Sequence, residues 1–192
     1  MKQQSPHNTV QSVSRQAKIE DCLLENLLSV PYERISVADM CRQMGISRRL
    51  YYTYFLDKDS CLVSLIDRYV YESIAHHTGV DFAAADYDLS ASIIDYLRYW
   101  QSHLDFLSMI TQQKLKSLMV DRCHICFRDN FHYLLDHLST PDFQADDSTI
   151  WLYAAFCFTI LMQWYEQGCQ APVEEMAKKY LRMLKTPLLH TP

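Results

Sequence analysis

Between Arg48 and Lys58 the sequence reads RRLYYTYFLDK, which places two guanidiniums, one ammonium and three phenols within eleven residues. Arginine forks the O6 and N7 atoms of guanine and also pairs with phosphate, while tyrosine hydroxyls donate to phosphate oxygens. Leu50 suits a thymine methyl, and Lys58 suits a phosphate clamp. On a helix spanning 47–55, Arg48 and Tyr52 are four apart and Arg49 and Tyr52 three apart, so they share a face. Ile46, Tyr51 and Phe55 occupy another face and read as core. One flank is then free to meet a duplex and the other is held by the protein.

A second set of residues could do different chemistry. Cys123-His-Ile-Cys126 has the spacing of a zinc or disulfide pair, with His124 and His132 nearby. A structural zinc site wants four ligands, and no second pair at matching spacing is present. Cys123 also shares an apolar helical face with Val120, Phe127 and Phe131, so it reads as a buried thiol. His76-His77 falls near the end of a helix, where histidine complements the negative end of the dipole. No metal and no cofactor is expected. There is no glycine-rich phosphate loop, no G-x-S-x-G and no H-E-x-x-H, so an enzyme is not expected either. A thiol or metal sensor built on Cys123 and Cys126, and a helical scaffold without DNA binding, are the alternatives to a DNA-binding reading.

These residues need helices to position them. The chain has three glycines and six prolines in 192 residues, and no proline between Pro31 and Pro141. With a helical apolar pattern, that predicts an all-α protein. Residues 1–13 are polar and aperiodic and read as a flexible arm. Ile19, Leu23, Leu27 and Val30 make the stripe of a first helix, which Pro31 stops. Ser36 begins a second helix, with Asp39 at the capping-box position, and it ends at Met44 before a turn at Gly45-Ile46. Ser47 is the N-cap of a third helix. A short helix, a glycine turn and a second short helix form a helix-turn-helix, whose second helix enters the major groove. Asp57 and Asp59 open a fourth helix running to about His77. After a loop at 79–88, helices are expected near 89–103, 104–118, 120–139, 148–168 and 172–185. The helix at 148–168 is apolar on two sides. One side suits its own core; the other, with Trp151, Ala155, Phe158, Met162 and Tyr165, suits a second copy of the chain. Trp100, Met109, Phe127, Phe156 and Met162 are candidates to line an effector cavity.

Charge is uneven. The chain carries a formal charge of −5, yet residues 1–58 hold eight lysines and arginines against six carboxylates. A basic N-terminal part suits a polyanion. Seven cysteines on apolar helical faces, an odd number, read as reduced thiols in the cytoplasm. The longest apolar run, 150–162, is shorter than the ~20 residues a membrane span requires.

The segment ISVADMCRQMGISRRLYYTYFLDKDSCL resembles the DNA-binding module of the tetracycline-repressor (TetR) family of bacterial transcription regulators. The resemblance covers about 15–66. It rests on the hydroxyl start, turn glycine, hydroxyl cap, aromatic core and Lys-Asp that follows. A fainter likeness to the C-terminal dimerisation region of some members lies in AAFCFTILMQWYEQGCQAPVEEMAKKYLRML, at Trp164, Gly168, Pro172 and Met176. The resemblance implies a helix-turn-helix module at 14–58 and a helical effector-binding and dimerisation domain at 59–192. It also implies a homodimer, a palindromic operator and a small-molecule effector, with the chain acting as a repressor. Carried over by position, the operator contacts are Ser36, Arg48, Arg49, Leu50, Tyr52, Tyr54 and Lys58, and Met176 and Tyr180 join the dimer face. Arg49 stands where the family more often has a small residue, and Leu50 where it more often has threonine. No operator sequence can therefore be borrowed.

Overall fold

The computed structural model describes residues 6–75, 89–131 and 146–185. Among them the chain is helical without a strand: α1 (Pro6–Leu27), a 3-10 turn (Tyr32–Arg34), α2 (Val37–Met44), α3 (Arg48–Tyr54), α4 (Lys58–Ile74), α5 (Leu89–Gln101), α6 (Leu104–Gln112), α7 (Lys116–Phe131), α8 (Asp147–Glu166) and α9 (Val173–Lys185). His76-His77, the expected loop at 79–88, His132 and the end of the helix expected to reach 139 lie outside the described residues.

Local signals set most of the helix starts. Ser36 and Ser47 each accept from the backbone N–H three residues on. Asp57 with Ser60, and Asp146 with Thr149, form reciprocal capping boxes at α4 and α8. Two boundaries differ from the sequence expectation. Among the described residues α1 is helical from Pro6 on, so residues 6–13 of the expected arm are helical. Polar residues there extend a helix that the apolar stripe at Ile19, Leu23 and Leu27 anchors. The chain also leaves α6 after Gln112 and enters α7 at Lys116, several residues before the expected break. Lys114 makes the corner in a left-handed conformation (φ 58°), with no glycine or proline to announce it.

One core runs through the molecule. In its N-terminal part Ile19, Leu23 and Leu27 of α1 meet Met40, Tyr51, Leu62, Leu65 and Ile66, all at most 4 % exposed. Three buried thiols, Cys22, Cys41 and Cys61, belong to this same packing. α4 packs on both α1 and α7, so it joins the reading module to the remaining helices. Two sets of ion pairs mark those contacts. Arg68 of α4 reaches Glu20 (2.6 Å) and Asp21 (2.5 Å) of α1, and Arg122 of α7 grips Asp67 of α4 through two bonds of 2.5 and 2.7 Å. Glu20 is almost fully buried and also accepts from Ser64 (2.7 Å) and Gln16 (3.2 Å). No helix among the described residues is long and apolar enough to cross a membrane.

Candidate nucleic-acid interface

The turn between α2 and α3 depends on one glycine. Gly45 lies at φ 65°, ψ 31°, and Ile46 N–H returns to Cys41 C=O at 2.9 Å, closing the end of α2. A Cβ on Gly45 would meet nothing within 4 Å, so what disfavours other residues here is the backbone conformation itself. That turn sets the direction in which α3 leaves α2. At the start of α2, Ser36 accepts from Asp39 N–H (3.1 Å) while its hydroxyl donates to Asp39 Oδ2 (2.6 Å). Arg42 Nη1 donates to the same carboxylate at 2.7 Å. The Ser36 hydroxyl, and after it Arg42, hold the Asp39 carboxyl below its usual range. The hydroxyl proton of Ser36 is thus already committed to Asp39.

α3 divides into two flanks. Tyr51 is fully buried, donates to Asp57 C=O at 3.2 Å and stacks at a tilt on Phe55, ring centroids 5.7 Å apart. Burial pushes its phenol well above the ordinary tyrosine range. Opposite, Arg48 and Arg49 are exposed and Tyr52 is 54 % exposed, its ring edge-on to Tyr51 at 5.5 Å. Leu50 and Tyr54 are half-buried, and Tyr54 packs against the core. Leu56, just beyond the helix, is 84 % exposed. The sequence reading missed it; a leucine in the otherwise polar turn before Asp57 was the available signal.

Lys58 differs from expectation. Its Nζ donates to the carbonyls of Tyr32 (2.6 Å) and Ile35 (2.8 Å) and sits 3.9 Å from the centre of the Tyr32 ring. The ammonium holds the connection between α1 and α2 from inside instead of reaching outward for a phosphate. Its partners lie 23 and 26 residues away, beyond the range of any local spacing rule.

The remaining candidates fall into the C-terminal helices. Trp100, Met109 and Met162 are buried in the core, with Phe127 and Phe156 packed against it. Cavities of about 400 and 350 Å³ flank α1, one lined by Gln16, Glu20, Ser64 and Arg68, the other by Asp21, Glu25, Tyr69 and Phe106; none of those five candidates lines either. Of the expected dimer face, Phe158, Met162, Met176 and Tyr180 are buried within the protomer, at 5 % exposure or less. Tyr180 is fixed there by its hydroxyl, which donates to Cys157 C=O at 3.2 Å. α8 packs chiefly on α7 and also meets α6, while α9 lies mainly on α5 and reaches α8 through Tyr180, at Phe156 and Cys157. The large apolar side chains that face outward on α8 are Trp151 and Leu152, with Ala155 and Tyr165 half-buried.

The thiols are placed for packing. Cys123 is 5 % exposed, and burial raises its thiol far above the ordinary range; burial pushes Cys157 up to about 12. The thiolate is the reactive and metal-binding species, so both groups are held in the inert form. Among the described residues no group of three or more His, Cys, Asp and Glu side chains could hold a metal ion. His124 instead lies 3.3 Å from Asp147. Iodoacetamide at pH 7.5 is expected to leave Cys123 and Cys157 unmodified in the folded protein and to alkylate both in denaturant, as read by peptide mass spectrometry. Rapid native labelling of Cys123 would restore the thiol-sensor alternative.

No protein-family model matches the chain, and no curated protein matches it in sequence. Solved structures do match. A TetR transcriptional regulator from Streptococcus agalactiae superimposes with a TM-score of 0.65 at 15 % identity, covering 93 % of this chain and 98 % of that one. A TetR-family transcriptional regulator from Syntrophomonas wolfei gives 0.63 at 18 %, covering 93 % and 98 %. The fatty acid degradation regulator FadR from Bacillus halodurans gives 0.58 at 15 %, covering 99 % and 100 %. Over nearly its full length, the chain has the fold of TetR-family transcriptional regulators.

Proposed function

We propose that the chain is a DNA-binding transcriptional regulator, a homodimer that reads a palindromic operator and represses from it until a small-molecule effector releases it. The observation that carries this reading is the division of α3. Tyr51 and Phe55 lock one flank into the core, and Arg48, Arg49 and Tyr52 face solvent on the other. A helix so held, behind a left-handed glycine turn, presents guanidiniums where a major groove can take them. Tyr52, Leu50 and Leu56 add a phenol and two apolar side chains for backbone and thymine-methyl contact. Trp151 and Leu152 on α8 support pairing with a second copy, which would set two reading helices about 34–36 Å apart or a multiple of that. The ion pairs of α4 with α1 and α7 support a route from the C-terminal helices to the module.

Selection of bound duplexes from a random library by the full-length protein tests the proposal. The expected result is a family of duplexes with two-fold symmetry, retained as ionic strength rises to physiological values. Enrichment of nothing at low salt, where non-specific attraction is strongest, would overturn it.

A further inference from the structure

At the corner between α6 and α7 the backbone closes on itself: Gln113 N–H donates to Met109 C=O and Leu115 N–H to Ile110 C=O, both at 2.9 Å. The Gln113 side chain leaves that corner and enters the connection between α1 and α2. Its Oε1 accepts from Tyr32 N–H at 3.0 Å, and its Nε2 donates to Leu27 C=O at 2.6 Å and Val30 C=O at 3.1 Å. One acceptor and two donors meet one donor and two acceptors in the matching polarity, which among side chains of this size only an amide provides. Leu27 ends α1, where carbonyls lack helical partners, and Gln113 supplies one. Tyr32 is held from the far side as well, its carbonyl by Lys58 and its hydroxyl by Asp59. Four residues later Ser36 opens α2.

We propose that Gln113 is a positioning residue for operator recognition. Through these three hydrogen bonds its amide ties the segment that launches α2 and α3 to the α6–α7 corner. This rests on the regulator reading above. All three partners are main-chain groups of the module, 81 to 86 residues away in sequence. Gln113 therefore fixes the orientation of the module against the body, while Tyr51, Leu23 and Leu65 pack the module itself. Orientation matters most when two modules must fit two half-sites at once.

The test uses full-length wild type, Gln113→Leu and Gln113→Glu, with the duplex selected by wild type and the same duplex with one half-site scrambled. Glutamate keeps the acceptor for Tyr32 but turns an oxygen toward two carbonyls; leucine removes all three bonds. Both variants are expected to lose at least about tenfold in affinity for the two-half-site duplex and less than about twofold for the scrambled one. Amide exchange over 27–35 should quicken while exchange over 48–55 stays unchanged. Equal losses on both duplexes would reveal general destabilisation, and no loss on either would show that the amide does not position the module; each overturns the proposal. Should the glutamate variant fail to fold, the leucine variant decides alone. A wild-type protein that selects no duplex removes the regulator reading and this proposal together, whereas wild-type selection with an unchanged affinity ratio in the variants removes only this one.

Discussion

Replacing Arg48 and Arg49 together with alanine is expected to abolish selective retention of the operator-like duplex while leaving a folded protein. Both side chains are exposed, and among the described residues neither takes part in an ion pair, so their removal leaves no buried charge behind. Arg49 helps hold α3 only through its backbone carbonyl, which accepts from Thr53 at 3.0 Å and survives the substitution. A bidentate arginine–guanine pair is worth about 1–3 kcal/mol of discrimination. Two such pairs give about 2–6 kcal/mol, or roughly thirtyfold to more than ten-thousandfold in affinity. Single substitutions separate the roles. The arginine on a base relaxes preference at one position, whereas one on a phosphate weakens all duplexes alike and lowers the salt slope by about 1. Unchanged affinity of the double variant, measured by fluorescence anisotropy across a salt series, would remove these residues from the interface.

Arg68→Met is expected to cost about 3–5 kcal/mol of stability, because it strands a carboxylate inside the protein. Glu20 is 2 % exposed on its side chain, and the cation at 2.6 Å is what balances its charge; Ser64 and Gln16 donate only neutral hydrogen bonds. Asp21, the second partner of Arg68, is 53 % exposed and can return to water at little cost. The double variant Arg68→Met, Glu20→Leu removes charge and counter-charge together, and should recover most of the loss. Urea denaturation of the four proteins in a thermodynamic cycle measures this directly. Additive losses, with no recovery in the double variant, would show that the pair is not the source of the effect.

The parts of the fold that were legible in advance are those whose causes lie within a few residues. Ser36, Gly45 and Ser47 each act on neighbours three to five positions away, and the alternation of Tyr51 and Tyr52 between core and solvent follows from helical period alone. What the chain concealed depends on distant partners. Nothing near Lys58 points to the carbonyls of Tyr32 and Ile35, and nothing near Gln113 points to the end of α1. The corner at Lys114 adopts a left-handed backbone with a residue that does not advertise it. On α8 the period showed two apolar flanks correctly. It could not show that Phe158 and Met162 would be buried within the protomer while Trp151 and Leu152 stay exposed.

The three thiols packed into the reading module turn it into its own reporter. Cys22, Cys41 and Cys61 are 5 % exposed or less, and burial raises all three, Cys61 to about 12. A reagent can reach them only when α1, α2 and α4 separate, so the pace of their capture counts breathing of that end of the molecule. Ligands that quiet or quicken this breathing would register without any dye or engineered label.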